Sequence, residues 1–316
     1  MSAAVLYEIV PSAKAGSVNA INVWTNSDGR IVAGLKSLVR FPWHDGVLLL
    51  GQASDNSVHS YKLTAASPFV VPLTSNFDLG GPCDILKSFV IGGVQHLIAY
   101  RAASGKLSFH RVNADMTLSK PYVYYRLRSP GLTTGWTVME PIIFLNMVYY
   151  VSYEMKTGAV ELFSIYMTAT GEGDCPPLQS LNVWSWQWAQ GWTHFAFFQL
   201  GGENFFFKIN VGTSPNVNID HLSLDPNLRS NEVCTRMNKQ MPNNQDPTLI
   251  IRSLILDQGT PYLVNYLPGT GATNFYRVHA DCQGWSSESP VDTITIPGAS
   301  DIVTYQLGGR SFALFY

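Results

Sequence analysis

Charged residues are scarce in this chain of 316 residues, since Asp, Glu, Lys and Arg together make up 13% of it and the net charge is -2. Without a basic field to neutralise phosphates, neither nucleic acid nor an anionic membrane surface is expected as a partner. Hydrophobic residues reach 46%, which is enough for a large core and excludes disorder as the main state. The composition therefore predicts a compact body with a sparsely charged surface.

Cysteine is also scarce, and the four cysteines form no Cys-x-x-Cys pair. They lie far apart, at Cys83, Cys175, Cys234 and Cys282, so neither a zinc site nor a redox motif is indicated. The N-terminal residues lack a basic segment and a sustained apolar run, and no later run is long enough to span a bilayer. No Asn-x-Ser/Thr sequon occurs. We expect reduced thiols and a cytoplasmic location.

Familiar catalytic signatures are missing as well. The sequence has no Gly-x-Ser-x-Gly elbow, P-loop, Rossmann glycine fingerprint, His-Glu-x-x-His motif or EF-hand loop. Its seven histidines are scattered, and the turn near Gly29 lacks the alternating aspartates of a calcium loop. We therefore expect no cofactor, whether metal or nucleotide.

Helical periodicity is almost absent, whereas short apolar or alternating runs broken by Gly, Pro, Asn and Asp recur along the whole chain. These runs also resemble one another. The stretches that end at Asp115 and Asp281 share a strand, a tight turn, a strand ending in Tyr100 or Tyr266, a glycine turn and a third strand reading F-x-R-V. The pattern predicts an all-β fold built from a repeated unit.

The spacing of the repeats gives their number. Third-strand markers recur about every 47 to 57 residues, a period typical of propeller blades; they are Ile9, Leu63, Val112, Ile165, Leu222 and Val278. The last residues supply the first two strands of a unit, and the first residues read as its third and fourth. We predict one domain over residues 1–316, a six-bladed β-propeller in which the N- and C-terminal strands share a blade. A β-sandwich or two small barrels are the alternatives.

The same frame gives blade boundaries and the turn that leads into each blade. The predicted blades cover residues 299–316 with 1–28, 29–80, 81–130, 131–188, 189–245 and 246–298. The leading turns that align are Gly135-Trp136-Thr137, Gly191-Trp192-Thr193, Gly298-Ala299-Ser300 and Pro82-Cys83-Asp84, with Gly34-Leu35-Lys36 and Thr248-Leu249-Ile250 less well matched. Since inner strands begin near the axis of a propeller, residues after these turns are candidates for a central site.

Polar residues follow these turns along the otherwise apolar inner strands, at Lys87, Glu140, His194, Arg252 and Asp301. Because such groups are expensive to bury alone, they either form ion pairs across the ring or line a polar funnel. As a catalytic set, His194 suits proton transfer near neutral pH, and the two carboxylates would orient it or act as acid and base. The two cations would hold an anionic oxygen.

Aromatic residues form two groups. Trp184, Trp186 and Trp188 alternate along an outer strand, where packing against a neighbouring blade is expected. Trp136 and Trp192 occupy equivalent leading turns and either pack between blades or form the wall of a pocket. The substrate-binding residues expected there are Trp136, Thr137, Trp192, Thr193 and Phe195.

A polar stretch rich in Asn and Pro covers residues 223–247 and is longer than the equivalent joins of other blades. Long loops in compact domains are often lids or binding loops. Its methionines, Met237 and Met241, would then close over an apolar ligand. A loop with no role in binding is the alternative.

The repeated Gly-Trp-Thr turns, the Leu-Gly-Gly turns and the F-x-R-V-x-A-D strands resemble those of bacterial and fungal propellers described as lectin-like. The resemblance covers most of the chain and consists of structural motifs, so it specifies fold better than activity. In overall character the chain is also similar to the fungal hetero-Diels–Alderases of tropolone sesquiterpenoid biosynthesis, although no catalytic motif matches residue by residue. That similarity implies dehydration of a hydroxymethyl tropolone to an o-quinone methide, followed by [4+2] addition to a polyene.

Three functions stay open. A cofactor-free natural-product cyclase of secondary metabolism would hold a small apolar or polyphenolic substrate in one pocket, between walls that exclude water. A carbohydrate-binding propeller would bind glycans, and a lectin of this class repeats its sugar site from blade to blade. A protein-interaction scaffold would do neither. Because the aligned positions differ from blade to blade, we expect one asymmetric pocket and hence the cyclase.

Overall fold

The computed structural model describes residues 4–12, 18–74, 77–124, 134–168, 176–211, 216–225, 227, 229–237, 246–256, 259–279, 292–296 and 298–316. Within these ranges, 24 strands form six four-stranded antiparallel sheets. The fold is the six-bladed β-propeller that the sequence predicts. No helix in the described part of the chain is long and apolar enough to cross a membrane.

The chain divides into two compact units, and the first of these is Val32–Thr64 with Val70–Gln190. We call it the middle unit, because it lies between the chain ends in sequence. It contains blade 2 (β3–β6), blade 3 (β7–β10) and blade 4 (β11–β14). The strands are β3 (Leu35–Trp43), β4 (Gly46–Ala53), β5 (Val58–Leu63), β6 (Val70–Leu73), β7 (Ile85–Ile91), β8 (Val94–Arg101), β9 (Lys106–Arg111), β10 (Tyr122–Tyr124), β11 (Val138–Phe144), β12 (Met147–Tyr153), β13 (Ala159–Met167) and β14 (Leu178–Gln187).

The terminal unit comprises Met1–Ile31, Ala65–Phe69 and Gly191–Tyr316. It contains blade 5 (β15–β18), blade 6 (β19–β22) and blade 1, whose strand order is β2-β1-β24-β23. The strands are β1 (Val5–Pro11), β2 (Val18–Thr25), β15 (His194–Leu200), β16 (Glu203–Asn210), β17 (Asn216–Leu222), β18 (Ser230–Met237), β19 (Ile250–Leu256), β20 (Thr260–Leu267), β21 (Ala272–Arg277), β22 (Asp292–Thr295), β23 (Ile302–Leu307) and β24 (Arg310–Phe315).

Blade 1 joins the two ends of the chain, as the repeat count predicts. Strand β1 pairs with β2 on one side and with β24 on the other, so that Ile9 lies opposite Ser311. The guanidinium of Arg310 donates to both carboxylate oxygens of Glu8, with its Nε 2.7 Å from Oε1. The hydrogen bond from Arg310 also lowers the pKa of Glu8. A bidentate pair of this kind fixes geometry as well as charge, which locks the shared blade.

Apolar side chains on facing sheets build the core between neighbouring blades of each unit. In the middle unit, one cluster joins blades 2 and 3 and another joins blades 3 and 4. In the terminal unit, corresponding clusters join blade 5 to blade 6 and blade 6 to blade 1. Because both faces of a blade are covered, a second strand such as β4 is buried at every position and reads as a nearly continuous apolar run.

A side chain on the second strand of several blades also fixes the leading turn of the next blade. The hydroxyl of Tyr100 accepts the backbone N–H of Trp136 at 3.2 Å, and that of Tyr266 accepts the N–H of Ala299 at 2.9 Å. Between blades 2 and 3 an amide replaces the phenol, since Gln52 Oε1 accepts the N–H of Cys83 at 3.0 Å. We call this contact the latch. It satisfies a backbone donor that would otherwise be buried alone.

Candidate functional site

Four of the leading turns share one backbone hydrogen bond. In each, the third residue of the turn donates its N–H to a carbonyl at the end of the second strand. These bonds are Asp84 to Tyr100 O (2.9 Å), Thr137 to Tyr153 O (2.9 Å), Thr193 to Ile209 O (2.9 Å) and Ser300 to Tyr316 O (2.6 Å). The residue that follows each turn therefore has an equivalent position at the start of its first strand.

The hydroxyls of Thr137 and Thr193 are used within their own blades. Thr137 Oγ1 donates to the carbonyl of Tyr153 at 3.1 Å and accepts the N–H of Met155 at 3.1 Å. Thr193 Oγ1 donates to the carbonyl of Ile209 at 2.9 Å and accepts the N–H of Val211 at 3.1 Å. Both threonines thus hold the turn in place, and their substrate-binding role stays a prediction.

In the middle unit, Lys87 of β7 and Glu140 of β11 form an ion pair between blades 3 and 4. Their Nζ and Oε2 atoms are 2.6 Å apart, and the side chains remain 38% and 29% exposed. Lys87 and Glu140 are the charged residues of β7 and β11, whose other residues are mostly apolar. The pair is accessible enough to contact a ligand.

In the terminal unit, Arg252 of β19 contacts Asp301, which directly precedes β23. The guanidinium donates through Nη2 to Asp301 Oδ1, through Nε to the carbonyl of Ile302 and through Nη1 to the carbonyl of Ile251. The side chains of Arg252 and Asp301 remain 39% and 26% exposed. This pair joins blade 6 to blade 1 and is as accessible as its counterpart in the middle unit.

Two further side chains complete the terminal cluster. The hydroxyl of Tyr316 donates to Asp301 Oδ2 at 3.1 Å, and burial raises the pKa of Tyr316. His194, the first residue of β15, has its Nδ1 2.8 Å from Thr193 Oγ1. Burial lowers the pKa of His194, and the nearby positive charge of Arg252 lowers it further. His194 is therefore a neutral imidazole at pH 7, which offers one donor and one acceptor.

The five polar residues predicted from the sequence thus fall into one cluster in each unit. Lys87 meets Glu140, whereas Arg252 meets Asp301 with His194 close by. Four of the five form ion pairs between neighbouring blades of one unit, an arrangement that differs from the pairs across the ring that the sequence analysis considered. Their catalytic roles stay predictions.

The predicted aromatic wall residues are mostly enclosed. Trp136 lies in the apolar cluster between blades 3 and 4. Trp192 is buried with Lys208 Nζ 4.7 Å from its ring centre, a cation–π contact. Phe195 is partly exposed and stacks on Phe197 and Phe206.

The three alternating tryptophans of blade 4 differ in exposure. Trp184 and Trp188 are buried, as packing predicts, but Trp186 is 52% exposed. Strand β14 is the outermost of its blade and contains a register shift between the partners of Leu162 and Phe163. The shift lies between Asn182 and Trp184, before the three tryptophans, so it does not account for the exposure of Trp186.

Sequence reasoning missed a deeply buried ion pair in blade 5. Lys208 Nζ lies 2.7 Å from Asp220 Oδ2, and their side chains are only 10% and 3% exposed. The signal was available, because both charges interrupt apolar strands, in "FFFKIN" and "NVNIDHL". Their position beneath Trp192 makes them a support for that turn.

The long stretch 223–247 is described only in part. Met241 and the side chain of Met237 lie outside the described residues, so their predicted role over a ligand stays a prediction. Among the side chains that are described, no three His, Cys, Asp or Glu residues are grouped closely enough to hold a metal ion.

No protein-family model and no curated protein matches this chain. Solved structures do match. They include a protein from Lactobacillus plantarum, with TM-score 0.50, 9% identity and full coverage of both chains. An exo-β-1,3-galactanase from Phanerochaete chrysosporium gives TM-score 0.50 and 7% identity, covering 86% of this chain and 68% of its own. One from Clostridium thermocellum gives TM-score 0.50 and 9% identity, with 84% and 66% covered. At such identities the likeness concerns the fold.

Proposed function

We propose that the protein is a carbohydrate-binding β-propeller whose ligand contacts the charged pairs at the starts of the first strands. The observation that carries the proposal is the accessibility of Lys87–Glu140 and Arg252–Asp301 within otherwise apolar strands. Two of the structures with a similar fold are exo-β-1,3-galactanases, enzymes that act on a carbohydrate. That likeness is in keeping with the proposal.

The chemistry of these pairs suits sugar hydroxyls. A hydroxyl both donates and accepts, so it matches a surface that offers a cationic donor beside an anionic acceptor. Hydrogen bonds to charged groups are roughly twice as strong as those between neutral groups. In the terminal unit, the neutral imidazole of His194 is bonded to Thr193 and to the backbone of Leu249, so Arg252 and Asp301 are the groups left to contact the ligand.

Binding is better supported than hydrolysis. Glycoside hydrolysis normally needs two carboxyl groups, one acid and one base or nucleophile, on either side of the scissile bond. Each described cluster supplies a single carboxylate, and that carboxylate is bonded to a cation. We therefore propose recognition of a glycan without its cleavage.

The natural-product cyclase, with its dehydration and [4+2] addition, is the competing hypothesis and has less support. It needs a group that delivers a proton to the leaving hydroxide at neutral pH. The lowered pKa of His194 leaves its imidazole without the acidic proton, and Glu140 and Asp301 are engaged by cations. The enclosed rings of Trp136 and Trp192 also offer little wall to an apolar substrate.

Binding of the labelled wild-type protein to an array of immobilised glycans tests the proposal. We expect signal on a defined class of glycans and a loss of at least about tenfold in the variant K87M/R252M, since each substitution removes charge-assisted bonds. Lys62→Met is the matched control, because Lys62 forms an equally short pair with Asp45, at 2.6 Å, in blade 2.

Two results would count against the proposal. One is the absence of binding to any glycan by the folded wild-type protein. The other is formation of a cycloadduct when the protein is incubated with a hydroxymethyl tropolone and a humulene alcohol, which would favour the cyclase instead.

A further inference from the structure

Blades 3 and 6 are equivalent members of the two units, because each is the second of three blades and the two share one register. In blade 3, Ile85 pairs with Tyr100 and Lys87 with Ile98. In blade 6, Ile250 pairs with Tyr266 and Arg252 with Val264. Lys87 and Arg252 therefore stand at the same position of the same strand.

The contacts of these blades with their neighbours are repeated as well. Ser88 Oγ donates to the carbonyl of Arg40 in blade 2, and Ser253 Oγ donates to the carbonyl of Phe197 in blade 5, both at 2.6 Å. The latches from blades 3 and 6 to the following blades also correspond. The middle and terminal units are thus two versions of one three-blade arrangement.

Both units pair their cation with a carboxylate of the next blade, although they take it from different positions. Glu140 lies opposite Val151 within β11, whereas Asp301 precedes the first residue of β23. The equivalent of Asp301 in blade 4 is Val138, two residues before Glu140. The longer Glu side chain and the shorter Asp side chain thus reach the same cation position from different places. A charge pair is present in both units although its residues differ.

Each pair keeps hydrogen-bonding capacity for a ligand. The ammonium of Lys87 has three N–H groups, and the described structure pairs it with Glu140 alone. Arg252 has five N–H groups, three of which are used by Asp301, Ile302 and Ile251. Spare donors beside a carboxylate match two adjacent hydroxyls, one that accepts from the cation and one that donates to the acid.

We infer that the chain carries two sugar-binding subsites, one at Lys87–Glu140 and one at Arg252–Asp301, and that each binds a vicinal pair of hydroxyls. The inference rests on the proposed carbohydrate-binding function and adds the number, position and chemistry of the subsites. Lys87 and Arg252 each keep two N–H groups beyond those used in the described structure, so the two subsites offer a ligand the same number of cationic donors.

Equilibrium dialysis with radiolabelled methyl glycosides tests the inference on the full chain. The probes are methyl α-mannoside, methyl α-fucoside and methyl β-galactoside, each of which has a cis pair of adjacent hydroxyls. We expect two molecules bound per chain by the wild type, one by K87M, one by R252M and none by the double variant. The control K62M retains both sites.

The outcomes separate the two proposals. No binding of any of these glycosides or array glycans by the folded wild type would contradict the carbohydrate-binding function itself. One molecule per chain, or two molecules unaffected by K87M and R252M, would overturn the two-subsite inference and leave the function standing. Thermal unfolding of each variant, measured by circular dichroism, shows whether a loss of binding reflects a loss of fold.

Discussion

Blades 3 and 6 share a strand register but carry different side chains at two equivalent buried positions. Their third strands read Phe-His-Arg-Val and Phe-Tyr-Arg-Val, so that His110 of blade 3 corresponds to Tyr276 of blade 6. His96 corresponds in the same way to Tyr262. All four side chains are buried. The backbone pairing therefore tolerates either aromatic type, provided that the ring stays uncharged.

The difference between the two blades lies in how they respond to protons. Burial, together with the positive charge of nearby arginines, lowers the pKa of both His96 and His110 to about 4. Burial raises the pKa of Tyr276 instead, which leaves its phenol neutral across the whole acid range. With the same backbone pairing, blade 3 therefore has buried side chains that can take up protons in acid, whereas the equivalent side chain Tyr276 of blade 6 stays neutral.

The largest effect that we expect is loss of stability in acid through His96 and His110. Each histidine titrates near 6.5 when unfolded and near 4 when folded, so the unfolded state binds more protons between these values. Their contribution is complete above pH 6.5 and is lost as the pH falls towards 4, by up to about 3 kcal/mol for each histidine. Urea denaturation at pH 7.5, 6.0 and 4.5 measures this loss.

The variant H96Q/H110Q sharpens that test, because glutamine is polar but does not titrate. Its unfolding free energy should vary less with pH than that of the wild type, and Tyr276→His should introduce a new dependence in blade 6. An unchanged slope in H96Q/H110Q would show that other groups control acid stability.

A smaller effect is expected from the latches, which blades 3 and 6 share. Removing the hydroxyl in Y100F or Y266F leaves the backbone N–H of Trp136 or Ala299 without its acceptor, at about 1–3 kcal/mol. Y276F is the matched control, because Tyr276 is equally buried and its hydroxyl has no hydrogen-bond partner among the described residues. Its stability should be unchanged or increased.

The midpoint of urea denaturation at constant pH measures all three tyrosine variants. Equal losses in Y276F and in the latch variants would show that the hydrogen bond to the next blade is not the source of the loss, because all three substitutions keep the ring.

The smallest effect on stability is expected from the two ion pairs. Exposed pairs contribute about 0–1 kcal/mol, and K87M should fall at the lower end because its described partner is Glu140 alone. R252M should lose more, since Arg252 also bonds the carbonyls of Ile251 and Ile302. Thermal unfolding compares the two variants. A larger loss in K87M than in R252M would contradict this order.

The repeat frame made the fold predictable. The sequence predicted six blades from the shared F-x-R-V strands and the turn glycines. It predicted a blade shared by the two chain ends because each end supplies only two strands of a unit. Both predictions are confirmed. The same frame aligned the leading turns of blades 1, 3, 4 and 5 correctly, but it placed Ile250 of blade 6 one residue too early, since Ile250 pairs with Tyr266 as Ile85 pairs with Tyr100. It could not assign the latch, because a tyrosine at the end of an apolar strand looks like any other core residue until the next blade is in place.

The candidate site was predictable in composition and not in arrangement. Lys87, Glu140, Arg252 and Asp301 stood out because charges are rare in apolar strands. Which charges meet depended on contacts between neighbouring blades and on side-chain length, since Glu140 and Asp301 reach equivalent cations from positions two residues apart. The exposure of Trp186 was likewise not predictable. It lies on an outer strand, and the alternation of residues does not show whether another element covers a side chain there.

The sequence by itself determined the strands, the turns and the number of blades, because these follow from interactions between residues close together in the chain. Only the tertiary structure decided that His96 and His110 are neutral and that Thr137 and Thr193 support their own turns. It also decided that Lys87 pairs with Glu140 and Arg252 with Asp301. Protonation and pairing depend on burial and on partners brought in by separate blades. Those are properties of the folded chain, which no local pattern contains.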